Sequence, residues 1–239
     1  MTTTTTNNSV TLCGVVRGEP SYSHEVFGEK FYEVNLAVKR LSGMDDLLPV
    51  SVSEHLMGDY FVDGKSVTVK GQFRSYNKIV GDHSKLMLTV FVRDVGDFDP
   101  SVNPNTMQLT GFVCKQPIYR TTPFNREICD LLVAVNRQYN KSDYIPCIVW
   151  GRNARFAEHL AVGTQVSVVG RVQSRNYQKR LEDGTFVTRT AYEVSVGKIS
   201  VVEQETSQNA ADDNILQSDG GCLCLDACAD NPAPIVGLN

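Results

Sequence analysis

Long apolar runs are missing from this chain. Nowhere in its 239 residues is there anything near the roughly 20 consecutive apolar residues that a membrane-crossing helix requires. The opening Met-Thr-Thr-Thr-Thr-Thr-Asn-Asn lacks the basic start and the apolar stretch of a secretory signal. The expectation is a soluble protein of the cell interior with no membrane partner. Catalytic signatures are missing as well: there is no Gly-rich phosphate loop, no His-Glu-x-x-His helix and no Gly-x-Ser-x-Gly elbow. The four histidines, His24, His55, His83 and His159, are isolated, and none has a metal-ligand neighbour at usable spacing. Asp45-Asp46 and Asp94, Asp97, Asp99 fall in turn-like segments, and nothing local marks an acid cluster built around Mg²⁺. No enzyme activity, no metal and no cofactor are expected.

The seven cysteines, at 13, 114, 129, 147, 222, 224 and 228, are odd in number, and four lie inside apparent strands. That pattern fits reduced thiols packed as small hydrophobes better than a disulfide framework. Cys222-Leu-Cys224-Leu-Asp-Ala-Cys228 crowds three thiols together without the fourth ligand that zinc would take.

What the chain does contain is a duplication. Leu12-Cys-Gly14-Val-Val lies over Leu109-Thr-Gly111-Phe-Val at an offset of 97, which also matches Ala37-Val38 to Ala134-Val135, Arg40 to Arg137 and Pro49 to Pro146. Farther on the offset is 99, with Val67-Thr-Val69-Lys-Gly71 over Val166-Ser-Val168-Val-Gly170 and Ser75-Tyr-Asn77 over Ser174-Arg-Asn176. A loop between the anchors absorbs the two extra residues.

Strand candidates in the first copy are Val10–Val16, Phe31–Val38, Val50–Val52, Ser66–Arg74 and Leu86–Val92. In the second they are Met107–Lys115, Ile128–Val135, Ile145–Trp150, Gln165–Gln173 and Thr188–Ile199. Both sets are rich in Val, Ile, Thr and Tyr, and Val67, Val69 and Gly71 alternate cleanly with Thr68, Lys70 and Gln72. Between the third and fourth strands of the second copy, Asn153 to Leu160 reads as a short helix, with Asn153 as its cap and Phe156 and Leu160 on one face. Glu54 to Tyr60 fills the same slot in the first copy, interrupted by Gly58. The expected fold class is all-β, two tandem OB-folds, each a five-stranded Greek-key barrel with a short helix after strand three. Strand order alone leaves another five-stranded barrel open.

The expected organisation is a flexible N-terminus over 1–9, a divergent first OB-fold over 10–96, a linker over 97–106 with Pro100 and Pro104, a second OB-fold over 107–203 and a disordered acidic tail over 204–239. The net charge of −4 divides unevenly. Residues 105–204 carry 13 Lys/Arg against 8 Asp/Glu, residues 1–104 carry 10 against 13, and the rest has six acids and no base. Nine of the 13 bases in the second copy are arginines, the type suited to phosphate forks and to stacking on bases.

Those bases interleave with aromatic residues. Arg120 and Arg126 bracket the first hairpin of copy two; Arg137, Tyr139, Lys141 and Tyr144 crowd the next loop; Trp150, Arg152 and Arg155 follow at a strand end; Arg171, Arg175, Tyr177, Lys179 and Arg180 line the fourth strand and its hairpin. Rings stack on any base and guanidinium groups hold the adjacent phosphates, a combination suited to an unpaired strand. The structural alternatives are that Trp150 and Tyr144 pack against the barrel and that the arginines solvate a protruding hairpin. Tyr177, between Asn176 and Gln178, is expected to be exposed.

Gly111-Phe-Val-Cys-Lys-Gln-Pro-Ile-Tyr-Arg, Glu127-Ile-Cys-Asp-Leu-Leu-Val-Ala-Val-Asn-Arg, Tyr144-Ile-Pro-Cys-Ile-Val-Trp-Gly-Arg-Asn-Ala and Gly170-Arg-Val-Gln-Ser-Arg-Asn-Tyr resemble the bacterial single-stranded DNA-binding protein family, particularly its Gram-positive forms. The resemblance covers copy two nearly end to end and copy one only in outline. It implies a cytoplasmic, nucleoid-associated protein that coats single-stranded DNA in replication, recombination or repair, with stacking positions at Tyr144, Trp150 and Tyr177. It also implies four OB domains per assembly, which a homodimer of this chain would present. Copy one has Leu47, Ser53 and Lys78 at the stacking positions, so its candidates shift to Lys39, Arg40, Arg74, Tyr76 and Lys78, and it is expected to contribute less affinity. The family's Asp-rich, Pro-Phe terminal peptide, which recruits replication and repair proteins, has no match in Pro232-Ala-Pro-Ile-Val-Gly-Leu-Asn239. The rival reading is an assembly scaffold of a replication or restart complex in which nucleic-acid contact is incidental; RNA binding is a third.

Overall fold

A computed structural model describes residues 6–80, 83–181 and 184–203. The acidic tail, with Cys222, Cys224 and Cys228, lies outside the described residues, as do residues 1–5. In chain order the elements are β1 (Asn8–Val26), β2 (Glu29–Lys39), β3 (Asp45–Ser53), α1 (Glu54–Met57), β4 (Ser66–Val80) and β5 (His83–Asp97), then β6 (Asn105–Val113), β7 (Ile118–Thr121), β8 (Glu127–Arg137), β9 (Lys141–Trp150), α2 (Arg152–Glu158), β10 (Gln165–Arg180) and β11 (Phe186–Val201).

The first five strands close on themselves. β1 pairs antiparallel with both β2 and β4, β2 with β3 and β4 with β5, while β3 runs parallel to β5. The ring 1-2-3-5-4-1 is an OB barrel. The second half repeats it as β6-β8-β9-β11-β10-β6, with β9 parallel to β11. Alternation sends Val10, Leu12, Val67 and Val69 inward in one barrel and Met107, Leu109, Val166 and Val168 inward in the other, all essentially without solvent contact.

Glycines explain why the repeat is legible. A β-carbon at Gly14 would overlap the carbonyl oxygen of Ala37, and one at Gly111 that of Ala134. Gly71 and Gly170 sit at equivalent register shifts, where the neighbouring strand's Phe91 and Ser195 carbonyls leave no room for a side chain. Each barrel turns its corners at positions where only glycine fits.

Several elements differ from expectation. β1 runs ten residues past Val16, because Gly18, at φ +79°, and the register shift between Arg17 and Ser21 carry the strand through a bulge rather than ending it. The β4–β5 and β10–β11 hairpins also extend beyond their barrels as two-stranded arms. β7 is a short extra strand paired with β8. Asn153 is not the cap of α2: Gly151 precedes the helix, and the Asn153 side chain donates to the Gly197 carbonyl at 3.0 Å. Asn7 and Asn8, expected in a flexible terminus, are held. The Asn8 side chain exchanges two hydrogen bonds with the Phe73 backbone at 2.7 and 2.9 Å, as Asn105 does with Val172 at the same distances.

The two barrels are joined edge to edge. β1 pairs antiparallel with β6, from Asn8 opposite Leu109 to Leu12 opposite Asn105, giving one continuous sheet of 11 strands. Around this seam a contact occurs twice. Asp46 of the first barrel accepts from the Ser174 backbone N–H of the second at 2.7 Å; Asp143 of the second accepts from the Ser75 N–H of the first at 2.9 Å. Each carboxylate also takes its own arginine, Arg40 on Asp46 and Arg137 on Asp143. Arg171 adds a second cation to Asp46 at 3.2 Å, and Arg40 donates to the Ser174 carbonyl at 2.6 Å. Since Asp46 and Asp143 share the repeat's first offset and Ser75 and Ser174 its second, the barrels meet about a local twofold axis.

Both carboxylates are about 1% exposed at the side chain, so removing one leaves buried donors unsatisfied. Asp143→Ala is expected to lower stability by about 1–3 kcal/mol, read from urea unfolding; an unchanged midpoint would show that the seam does not hold the barrels together.

Candidate nucleic-acid interface

In the second barrel, alternation along β9 places Tyr144, Pro146, Ile148 and Trp150 on the outer surface. β11 runs beside it with Ser195 opposite Ile148, and β10 beyond that with Arg171 opposite Ser195, Gln173 opposite Glu193, Arg175 opposite Ala191 and Tyr177 opposite Arg189. One barrel face therefore carries Tyr144, Trp150, Arg171, Arg175 and Tyr177. Trp150 is half-buried, its indole N–H donating to Ser195 Oγ at 3.2 Å. Tyr144 is half-buried near the seam, where its backbone N–H donates to Ser75 Oγ at 2.7 Å.

Tyr177 is not exposed as expected: only 8% of it meets solvent, yet it lies outside the contiguous hydrophobic cluster. It forms part of the wall of a half-open cavity of about 230 Å³ between this face and the β4–β5 arm of the first barrel. Leu86 and Leu88 line one side, with Ile118, Leu132 and Pro146 on the other. Lys85, Lys115 and Arg189 add positive charge at its walls. Sequence reasoning did not single out these three bases; the sheet register, which sets Arg189 opposite Tyr177, was the missing signal.

The arginines separate into two groups. Arg120 grips Asp130 with two bonds, 2.7 and 3.2 Å. Arg155 does the same to Glu127, which also accepts from Tyr119 Oη at 2.7 Å. Those two donors hold the Glu127 carboxyl below its usual range, Arg155 contributing more. Arg40, Arg137 and Arg171 are engaged at the seam, and Arg175 lies 3.5 Å from Glu193 and 6.0 Å from the centre of the Tyr177 ring. Arg126, Arg152 and Arg180 are exposed without an ion pair among the described residues, on the β7–β8 turn, at the start of α2 and at the β10 end. Tyr139, 90% exposed, and Lys141 stand at the β8–β9 turn, and Lys179 is half-buried near the arm tip. The sequence-predicted residues thus converge only in part: three rings and two arginines share a face, while Arg126, Arg152 and Arg155 lie at the barrel rim.

In the first barrel Lys39 and Lys78 are exposed. Tyr76 donates its hydroxyl to Glu33 at 2.9 Å, and burial, then that bond, push its pKa up to about 12. Arg74 lies over the ring of Phe91, 4.0 Å from its centre. Cys13, Cys129 and Cys147 are buried free thiols and Cys114 is half-buried. Burial raises Cys129 to about 11 and Cys147 further, so neither is a nucleophile at neutral pH. Among the described residues no group of His, Cys, Asp or Glu could hold a metal ion, and no helix is long and apolar enough to cross a membrane.

Two OB barrels, the second with rings and guanidinium groups on an outer face, define the fold class. Residues 104–202 match the single-strand binding protein family. The single-stranded DNA-binding protein of Halalkalibacterium halodurans is 30% identical over 124 residues, which are 49% of this chain and 71% of that protein. Single-stranded DNA-binding protein 1 of Staphylococcus aureus is 33% identical over 111 residues; the match spans 44% of this chain and 64% of that protein. The chain belongs to the single-strand binding protein family. In fold it is also similar to the single-stranded DNA binding protein of Thermus aquaticus, with a TM-score of 0.60 at 21% identity, covering 85% of this chain and 96% of that one.

The division of arginines is testable by substitution. Arg120→Ala strands a mostly buried Asp130 and should lower the urea midpoint, whereas Arg126→Ala should stay within about 0.5 kcal/mol of the parent. Equal effects would show that the ion pair does not distinguish the two.

Proposed function

We propose that the protein binds single-stranded DNA without catalysis and with little sequence preference, serving replication, recombination or repair in the cytoplasm as part of the nucleoid. The observation that carries this reading is the joint placement of Trp150, Tyr144 and Tyr177 with Arg171 and Arg175 on one face of the second barrel. The half-buried rings of Trp150 and Tyr144 offer π faces to successive bases, with Tyr177 in the cavity wall beside them, and sequence tolerance follows because every base has a π face. Arg175 and Arg171 lie next to carboxylates they can share with a phosphate, while Arg126, Lys141, Arg152 and Arg180 supply exposed charge around the face. Neutralising phosphates releases counterions, so affinity falls as salt rises.

Family membership supports this over the scaffold reading. Two chains joined as a homodimer would present four barrels, matching a C₂ arrangement; measuring the mass with and without oligonucleotide tests that. Replication or repair proteins are further partners in this reading.

Trp150 is the chain's single tryptophan, so its fluorescence reports on this face directly. Oligothymidylate should quench it, and the apparent binding constant should drop steeply between low and physiological salt. Trp150→Ala should weaken binding by about 1–3 kcal/mol with folding intact. Salt-insensitive binding, or an unaltered Trp150→Ala variant, would contradict the mechanism. Parallel titrations with oligouridylate separate DNA from RNA preference.

A further inference from the structure

The first barrel lacks rings where the second has Tyr144, Trp150 and Tyr177, but it is not without an aromatic outer face. By the repeat offset Ser53 stands at the position of Trp150 and Phe31 at that of Ile128, and Phe31 pairs with Ser53 as Ile128 pairs with Trp150. The equivalent bulge pairs, Gly71 opposite Val92 and Gly170 opposite Val196, put Phe91 of β5 at the place of Ser195 of β11. In the second barrel the ring comes from β9 and its small hydrogen-bonding neighbour from β11; in the first the ring comes from β5 and the small residue from β3. The aromatic group has moved one strand sideways on the same surface.

Its surroundings match a nucleic-acid contact. Phe91 lies 5.6 Å from Phe31, which also stacks on exposed His24 at 5.0 Å and 9° between planes. The guanidinium carbons of Arg74 and Arg93 are 4.0 and 5.0 Å from the Phe91 ring centre. Neither arginine forms an ion pair among the described residues, unlike Arg40, Arg120, Arg137, Arg155, Arg171 and Arg175. Arg74 Nε is buried with no hydrogen-bond partner. Burial, then repulsion from Arg137 of the second barrel and from Arg93, hold the Arg74 pKa down to about 10. A phosphate placed beside the exposed Arg93 and the Arg74 guanidinium would relieve the repulsion, and guanidinium planes on a ring are a surface on which bases stack. The first unit's net negative charge, summed over 104 residues, conceals this cluster.

We propose that Phe91, Arg74 and Arg93, with Arg137 reaching from the second barrel, form a second single-strand contact on the first barrel, the displaced counterpart of the Trp150 surface. The site rests on the function proposed above, and the experiment separates the two. The full chain is titrated with an oligothymidylate of about eight nucleotides, enough for one barrel, and one of about 32, enough for two. Phe91→Leu/Arg93→Gln, and Arg93→Gln alone as an exposed change that spares the fold, should leave Trp150 quenching by the short strand unaltered. For the long strand the double variant should lose about fivefold or more in affinity and cover fewer nucleotides per chain. Parental affinity and coverage in both variants would overturn the second site while leaving the Trp150 face standing. If the parent protein shows neither binding nor quenching, the functional reading fails and this site with it.

Discussion

Two buried carboxylates hold the architecture together. Asp46 and Asp143 each leave their own barrel to accept a backbone N–H from the other, and each is neutralised by an arginine of its own hairpin. A backbone amide cannot move away without breaking its strand, so the contacts fix register as well as proximity. With β1 and β6 paired between them, the barrels become one body about a local twofold axis. Everything proposed about binding depends on that rigidity: it sets the β4–β5 arm of one barrel over the outer face of the other and creates the cavity in which Tyr177 lies.

The same seam explains why positive charge cannot be counted as binding charge. Burying Asp46 and Asp143 unpaired would cost several kcal/mol each, and Arg40, Arg137 and Arg171 offset it, so whatever Arg137 and Arg171 bring to a phosphate is shared with those carboxylates. Arg120 and Arg155 are also paired, with the part-exposed Asp130 and Glu127. For the proposed function the second barrel's basic balance therefore overstates the charge left for a phosphate backbone, and Arg126, Arg152 and Arg180 are exposed arginines without an ion pair among the described residues. Arg175 sits between the two roles, near Glu193 and over Tyr177.

The duplication was legible because closure of a small barrel forbids side chains at Gly14, Gly71, Gly111 and Gly170, which leaves a rigid punctuation in the sequence. Barrel strands were legible from alternation, but the arms were not: outside the barrel most positions are exposed on both faces, and the exceptions, such as Tyr177 and Leu88, are covered by contacts between the barrels, so alternation fades while pairing continues. Tyr177 misled for a related reason. Its neighbours Asn176 and Gln178 point to the opposite side of β10, so their polarity describes the other face of the strand. Ion pairs such as Arg171 with Asp46, 125 residues apart, leave no local trace, and Phe91 reads as an ordinary strand residue until bulge register sets it beside Arg74.

The central claim is that an unpaired polynucleotide lies across β9, β10 and β11 of the second barrel. Amide hydrogen exchange of the full chain, with and without a saturating oligothymidylate, tests it most directly. The account predicts added protection in the peptides around Tyr144–Trp150 and Arg171–Tyr177, with α2 unchanged. Protection confined to α2 and the β7–β8 turn, with those strands unaffected, would contradict it.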